Sequence, residues 1–396
     1  MKYSINSKVL ADALGRCTTV SDGYALTFTN RPVKKDNVET GEVYATISAS
    51  TSSGISAMSS ITVAVTNEVS ADAGALNVIV GTDFAEAAKA LCKAGETVTF
   101  TVKDNSLELS YGDAKIEVGR KDKVTNFAVK SPRKDSHAKF QVETKEWKRV
   151  IQQTAFACGS YDPTGDKAAL NNILLLPCIV GDEYGIRTCS ANAFCGSSSH
   201  CIVKEKDEAF VEMVNAVKGV LLPPAMVKSL TGVLKGDIVT VFIFDNQLMI
   251  RDGNDVFAMV LAEGAFPMHL LPMIDDAEYA YLLKADTAEL KVALDIVSVN
   301  CTDPNKSAMK LEIGENGVTL FAKETANRAP VKATTEGAVE IGLSIKQLKD
   351  LINSGITEVN QVTICGKNNT SIIHVRGGHC NAFTFPVLLS MLDNEN

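Results

Sequence analysis

No apolar run in this 396-residue chain approaches the roughly 20 residues that span a bilayer; the longest, Ile173–Val180, is broken by Pro177. The first residues, MKYSINSKVLADALGR, mix charges into apolar residues at helical spacing and lack the apolar stretch of a signal peptide, so a cytoplasmic protein with no membrane partner is expected. Histidine occurs only five times, and no Ser/His/Asp or paired-carboxylate constellation is identifiable, which argues against an enzyme. Gly-rich stretches such as RGGHCN lack the lysine and the strand-loop-helix setting of a phosphate loop. The ten cysteines are scattered singly with no C-x-x-C, so neither a disulfide framework nor a structural zinc site is expected. Cys189, Cys195, His200 and Cys201 come nearest to a metal cluster. Adjacent His200 and Cys201 in an alternating strand point to opposite faces, so they do not share one ion. Nothing calls for a cofactor. Positive charge is also short: the net charge is −8, which excludes a uniformly basic nucleic-acid binder but not a local basic surface on an acidic body.

What is present is a globular composition, 45% hydrophobic and 22% charged, in a chain long enough for two or three domains. It also contains a repeat. TVTFTVKDNSLELSYGD near residue 100 and VTVFIFDNQLMIRDGND near residue 240 align at Asn105 and Asn246. They share Thr99/Thr240, Asp104/Asp245, Leu107/Leu248 and Gly112/Gly253. Both read as hairpins turning at an Asp-Asn pair, each with a third strand after it. Each follows a helical segment that stops at a glycine: residues 82–93 before Gly95, and the proline-initiated 223–234 before Gly236. Residues 7–20 (with a Ser7 cap), 143–157, 287–299 and 344–353 read as further helices, each leading into strands; the fifth unit turns at Glu315-Asn316. Six helix-then-meander units pair into three segments, 1–136, 137–275 and 276–396, with breaks at SPRKDSHAK and near residues 271–278.

Basic residues recur on these helices: Lys8 and Arg16; Lys89 and Lys93; Lys145, Lys148 and Arg149; Lys228 and Lys235; Lys284 and Lys291; Lys346 and Lys349. On any one helix they read as a solvated face, balanced by Asp12, Glu86, Glu146, Glu289 or Asp350. Recurrence in six equivalent positions of an acidic protein favours one surface facing a polyanion. With little aromatic or amide chemistry beside them, such a surface tracks phosphates without reading sequence.

The order of these units and three local motifs resemble the bacterial DNA polymerase III beta subunit family, the sliding clamps. LAEGAFPMHLLP (261–272) is similar to the segment that closes the family's middle domain. WKRVIQQTAFACG with LNNILL (170–175) resembles the helix and strand that open it, and NAFTFPVLL (381–389) resembles the closing segment. The resemblance implies an α+β fold of three clamp domains, each with two helices and two β-sheets, forming half of a ring closed by a head-to-tail homodimer. It implies a non-catalytic processivity factor encircling double-stranded DNA, with Arg16, Lys89, Lys93, Lys145, Lys148, Arg149, Lys228, Lys291, Lys346 and Lys349 touching phosphates. It further implies a groove for short peptides of DNA polymerase and clamp-loader subunits. That groove would be formed by Leu170, Ala193, Phe194, Pro267, Pro272, Thr370, Ser371, Phe383, Phe385, Pro386, Val387 and Leu388. Three departures stand out. Ala191-Asn192-Ala193-Phe194-Cys195-Gly196 replace the family's Thr-Asp-x-x-Arg-Leu pattern, so Phe194 fills part of the groove; Leu388 takes the place of a closing arginine; and residues 390–396 extend beyond it. A clamp-like scaffold that binds only peptides is the alternative these departures leave open.

Overall fold

A computed structural model describes residues 2–17, 23–35, 38–51, 54–65, 76–121, 138–275, 278–301, 307–314, 317–322, 324–355 and 360–388. The Glu315-Asn316 turn, most of the SPRKDSHAK break and residues 389–396 lie outside them. The chain divides into two compact units. One comprises residues 1–144, 205–209 and 229–260, the other residues 145–204, 210–228 and 261–396.

The helices are α1 (Ser7–Cys17), α2 (Asp83–Ala94), α3 (Thr144–Ala155), α4 (Glu208–Asn215), α5 (Pro224–Val233), α6 (Leu270–Asp275), α7 (Thr287–Ser298) and α8 (Ile345–Asp350, continued by a π turn at Leu351–Gly355). Six coincide with the helices expected from the sequence; α4 and α6 were not expected. The α1 cap differs as well. The Asn6 side chain, not Ser7, accepts the N–H groups of Lys8 (2.9 Å) and Val9 (3.4 Å), and Ser7 is buried inside the first turn. Asp286 caps α7 through the N–H groups of Ala288 and Glu289, and Ser344 caps α8 through that of Gln347.

The repeat is written in backbone hydrogen bonds. Strands Lys2–Asn6, Ala138–Glu143 and Tyr281–Asp286 lead into α1, α3 and α7. Each pairs antiparallel with the strand that follows α2, α5 or α8, namely Thr97–Val102, Ile238–Ile243 and Gln361–Gly366. The first N–H of each leading helix closes the unit the same way: Ser7 to Glu96 O (2.8 Å), Thr144 to Asp237 O (2.8 Å) and Thr287 to Asn360 O (2.9 Å).

The two quoted hairpins match in register as well as in sequence. Thr99 faces Ser110 as Thr240 faces Arg251, and the turns close through Lys103 N–H to Ser106 O (3.0 Å) and Phe244 N–H to Gln247 O (2.9 Å). Gly112 and Gly253 occupy the left-handed region at φ +56° and +61°, where a side chain is disfavoured. Gly95 and Gly236 are fixed instead by close approach. A Cβ would stand 1.8 Å from the Tyr111 ring at the first and 2.2 Å from Asp252 Oδ1 at the second. Tyr111 and Asp252 are themselves equivalent, so one backbone geometry serves an aromatic contact in one copy and a carboxylate in the other.

In the first unit, thirteen described strands form one sheet. Its continuity depends on Asp255–Val260 pairing with Ile55–Val65, Val256 opposite Met58 and Met259 opposite Ile55. The second unit holds a nine-stranded sheet, joined where Cys195–Ile202 pairs with Cys380–Thr384, and a four-stranded sheet in the order Asn327–Val331, Gly317–Ala322, Ala308–Gly314, Val339–Ser344. The middle third of the sequence therefore gives its second hairpin to one unit and its first to the other. Apolar side chains alternating inward fill the cores. Tyr3 stacks on Phe28 (4.1 Å between centroids) near Phe84 and Phe100 in the first unit, and Leu290, Leu294, Leu311, Leu320, Ile341 and Leu348 are wholly buried in the second.

Candidate nucleic-acid interface and peptide groove

The basic residues of the six helices divide into two chemical groups. Lys89 and Lys93 on α2 and Lys228 on α5 are exposed, and among the described residues no carboxylate pairs with them. Lys145 is also exposed, whereas Lys148 and Lys291 are half-buried. On α8, Lys346 pairs with Asp350 (2.5 Å) one turn on, and Lys349 reaches α7, at Asp295 (2.8 Å) and Ser298 Oγ (2.7 Å).

The two arginines are engaged inside the protein, which corrects their expected place among phosphate contacts. Arg149 is 7% exposed. Its Nη1 donates to Gln153 Oε1 (2.7 Å) and Ser199 Oγ (3.0 Å), and its Nη2 donates to Glu146 Oε2 (2.7 Å) and the His200 carbonyl (2.7 Å). Arg16 pairs closely with Asp255, and its Nη1 lies 3.8 Å from Asp252 Oδ2. Asp252 also accepts the N–H groups of Lys235 and Gly236, and Asp255 accepts Ser59 Oγ. Both carboxylates are buried, so the guanidinium supplies their counter-charge.

Around Arg149, α3 is held to its sheet by hydroxyls. Thr188 Oγ1 donates to Val150 O (2.9 Å), Ser197 Oγ to Gln153 O (2.6 Å), and Ser190 Oγ to Thr154 O. The latter two carbonyls belong to the last turn of α3, and Thr154 O also accepts the Ala157 N–H (3.1 Å), so strand serines and the following backbone together complete the helix end. The small run GSSSH lets helix and sheet approach closely enough for these bonds.

The predicted groove residues all lie in the second unit, in two sets. One set surrounds an apolar cluster of Ala169, Leu174, Leu176, Cys189, Leu221 and Phe266, with Leu170, Ala262, Leu270 and Leu271 partly exposed against it. Pro267 opens the turn into α6, its carbonyl accepting Leu270 N–H (3.0 Å), and exposed Pro272 lies within that helix. The far end of α6 is tied down by Asp275, which accepts two bonds from Arg187 (2.7 and 2.8 Å). Nothing in the local sequence signalled this pair.

The second set gathers around the SANAFC turn. Asn192 Oδ1 accepts the N–H groups of Phe194 (2.8 Å) and Cys195 (3.0 Å), which presents the Phe194 ring to solvent at 61% exposure. Phe194 O accepts Phe385 N–H (3.1 Å), and Val387 N–H donates to Gly342 O (2.9 Å), so the segment after Cys380–Thr384 is held at both points. Phe385 and Leu388 are exposed, whereas Phe383 is buried against Gly196. Thr370 and Ser371 form a turn on Asn368 Oδ1. Because Ile373 pairs with Thr384, that turn sits at the same sheet end as Phe385. The strand Cys380–Thr384 packs against α6, which links the two sets. A surface with apolar anchors and few charges suits a short peptide bearing hydrophobic side chains.

Near this region the His200 and His379 rings meet edge to face, with Nε2 and Nδ1 3.4 Å apart. Burial first, then His379, Arg149 and Arg187, hold the His200 imidazole below its ordinary value, against an opposing contribution from Asp275. The unfolded chain therefore takes up a proton at about pH 6.5 that the native protein refuses. This contribution to stability is complete above that pH and is lost as pH falls towards the folded pKa. His200→Asn is expected to flatten the fall in melting temperature between about pH 7 and pH 5; an identical fall in both proteins would exclude the effect. The cysteines nearby are inert. Burial pushes the Cys158 and Cys201 thiols up to about 12 and that of Cys195 to about 11, so they remain protonated at neutral pH.

This geometry, three copies of one α+β unit, defines a clamp fold. Solved structures similar to the chain give that fold its name. The beta subunit of a DNA polymerase from Streptococcus pyogenes matches at 15% identity and a TM-score of 0.76, covering 98% of this chain and 100% of the other. The DNA polymerase sliding clamp from Bacillus subtilis matches at 16% identity and a TM-score of 0.76, covering 98% and 99%. The DNA polymerase III beta subunit from Thermotoga maritima matches at 15% and 0.72, with the same coverage. The chain thus has the DNA sliding-clamp fold over nearly its whole length. No protein-family model and no curated protein matches the sequence. Among the described residues, no helix is long and apolar enough to cross a membrane, and no three His, Cys, Asp or Glu side chains come together as metal ligands.

Proposed function

We propose that this protein is a DNA sliding clamp: a non-catalytic ring that encircles duplex DNA and holds a polymerase on its template. The observation that carries the reading is the clamp fold over 98% of the chain, with the threefold backbone repeat intact in a sequence only 14–17% identical to the clamps it matches. A fold retained through that much sequence change is consistent with a topological task, which needs shape more than particular side chains. In this reading residues 1–136, 137–275 and 276–396 are the three domains, and two chains close the ring head to tail. The solvent-facing lysines, led by Lys89, Lys93, Lys145 and Lys228, give diffuse phosphate contacts. Arg16 and Arg149 serve the scaffold instead. The surface around Leu170, Pro267, Phe194 and Phe385 receives short apolar peptides of polymerase and loader subunits, with Phe194 narrowing it relative to the usual groove.

Open edges of the fold support closure by a second copy. Asn327–Val331 ends the four-stranded sheet, and beside it α7 exposes Val292 and Ile296. Sheet edges and apolar faces left bare in this way are ordinarily covered. The test is to load the protein onto nicked circular DNA with a clamp loader and then linearise the DNA. Loss of the protein from the free ends is expected, and retention after linearisation would overturn topological tethering.

A further inference from the structure

We infer that His200 and His379 form a binding site for one divalent transition-metal ion of the zinc class, held by two imidazoles with water in the remaining positions. The ion ties a strand from the middle third of the sequence to a hairpin from the last third. This site goes beyond the clamp reading and does not rest on it.

The backbone brings the two rings together. Cys195–Ile202 pairs antiparallel with Cys380–Thr384, Ser199 opposite Cys380, so His200 and His379 are the next residues outward on the two strands. They stand at the far end of this seam from Phe194 and Phe385. The hairpin carrying His379 closes from Gly377 to Cys380, with Gly378 in the left-handed region at φ +56°. On the other strand, the Arg149 bond to the His200 carbonyl (2.7 Å) fixes the backbone. His200 is half-buried and His379 is exposed, so an ion and its waters reach both rings.

Two distances fit shared ligation of one ion. His200 Nε2 and His379 Nδ1 lie 3.4 Å apart, and the ring centroids lie 5.2 Å apart. Two imidazoles on one tetrahedral ion, with bonds of about 2.05 Å, place their nitrogens about 3.3 Å and their ring centres about 5.3 Å apart. A head-on hydrogen bond between the nitrogens fits less well. At 3.4 Å it would be long, against about 2.9–3.0 Å for a good one, and it would hold the ring centres about 5.7 Å apart. Imidazole nitrogens select zinc, nickel, cobalt or copper(II) over magnesium and calcium, which take oxygen. The cations beside His200 bring no net charge against such an ion, because Glu146 matches Arg149 (2.7 Å) and Asp275 matches Arg187 (2.7 and 2.8 Å). The adjoining thiols of Cys201 and Cys380 are buried, which leaves water as the further ligand.

The test titrates the untagged full-length protein at neutral pH with zinc by calorimetry, and with cobalt(II) by visible absorption. One ion per chain with micromolar affinity is expected, with the intense visible bands of four-coordinate cobalt and no thiolate-to-metal charge transfer. His200→Asn and His379→Asn should each weaken binding at least about tenfold. Zinc should raise the melting temperature of the unaltered chain but of neither variant. His379 lies in an exposed turn, so its replacement spares the fold. His379→Cys should keep the ion and add a thiolate charge-transfer band, which a merely structural histidine would not produce. Four results would each overturn the site: no ion bound, a thiolate band in the unaltered protein, unchanged affinity in either asparagine variant, or an ion held by His379→Cys without that band.

Discussion

Replacing Arg149 with leucine should lower the free energy of unfolding by about 3–5 kcal/mol, the usual cost of removing one partner from a buried ionic network. The guanidinium is the hub of α3. Without it, Glu146 loses its cationic partner, the His200 carbonyl loses the Nη2 donor, and Gln153 keeps only Ser199 Oγ (2.6 Å). A leucine fills part of the volume but satisfies none of these acceptors. Arg149→Lys should recover less than half of the loss, because an ammonium cannot reach four acceptors lying around a planar fork. The protein carries its own reporter for this measurement. Trp147, the chain's only tryptophan, is fully buried two residues away on the same helix, so its fluorescence follows α3 through a urea titration. A midpoint equal to that of the unaltered protein would show that the network contributes nothing.

Arg16→Met is expected to cost about 2–4 kcal/mol, slightly less because the arginine side chain remains 20% exposed and solvent screens part of its charge. Its effect falls mainly on Asp255. Asp252 keeps the backbone donors of Lys235 and Gly236, whereas Asp255 is left with Ser59 Oγ (2.8 Å) alone. Combining Arg16→Met with Asp255→Asn should therefore restore at least half of the stability, since the amide removes the unpaired charge and keeps the shape. Strictly additive losses in the double variant, read from urea unfolding by far-ultraviolet circular dichroism, would contradict a coupled pair. Arg16 and Ser59 belong to the first repeat, and Asp252 and Asp255 to the second. The network accordingly stabilises the place where Asp255–Val260 joins the sheet of the first repeat through Ile55–Val65.

The helix starts were legible because they are local. Prolines at 223 and 224, and Asp or Ser ahead of apolar residues at helical spacing, placed the six repeat helices within a residue or two of where they begin. The α1 cap was misassigned by one position because Asn6 and Ser7 are both capable acceptors, and only the strand preceding them decides which one ends extended. The helix α4 is eight residues long, too short for a clear period, and α6 begins LLP, where a proline reads as a break. In the first turn of a helix, however, proline forfeits no hydrogen bond. The motifs placed the proposed groove residues in the second unit, in two sets. Their support, Arg187 with Asp275 and Asn192 beneath Phe194, was invisible because it depends on which loops meet in space.

The sequence by itself determined the repeat: the hairpin registers, the glycines that end the helices, and the alternation that divides buried from exposed faces all follow from neighbours a few residues apart. Tertiary structure alone decided what each cation does. Arg149 and Lys145 stand on one helix and look alike in sequence. Arg149 is buried where Glu146, Gln153, Ser199 Oγ and the His200 carbonyl surround its guanidinium, whereas Lys145 is exposed. Arg16 likewise depends on carboxylates contributed by another repeat. A charge goes to solvent or to the interior according to its partners, and only the folded chain brings distant partners within reach.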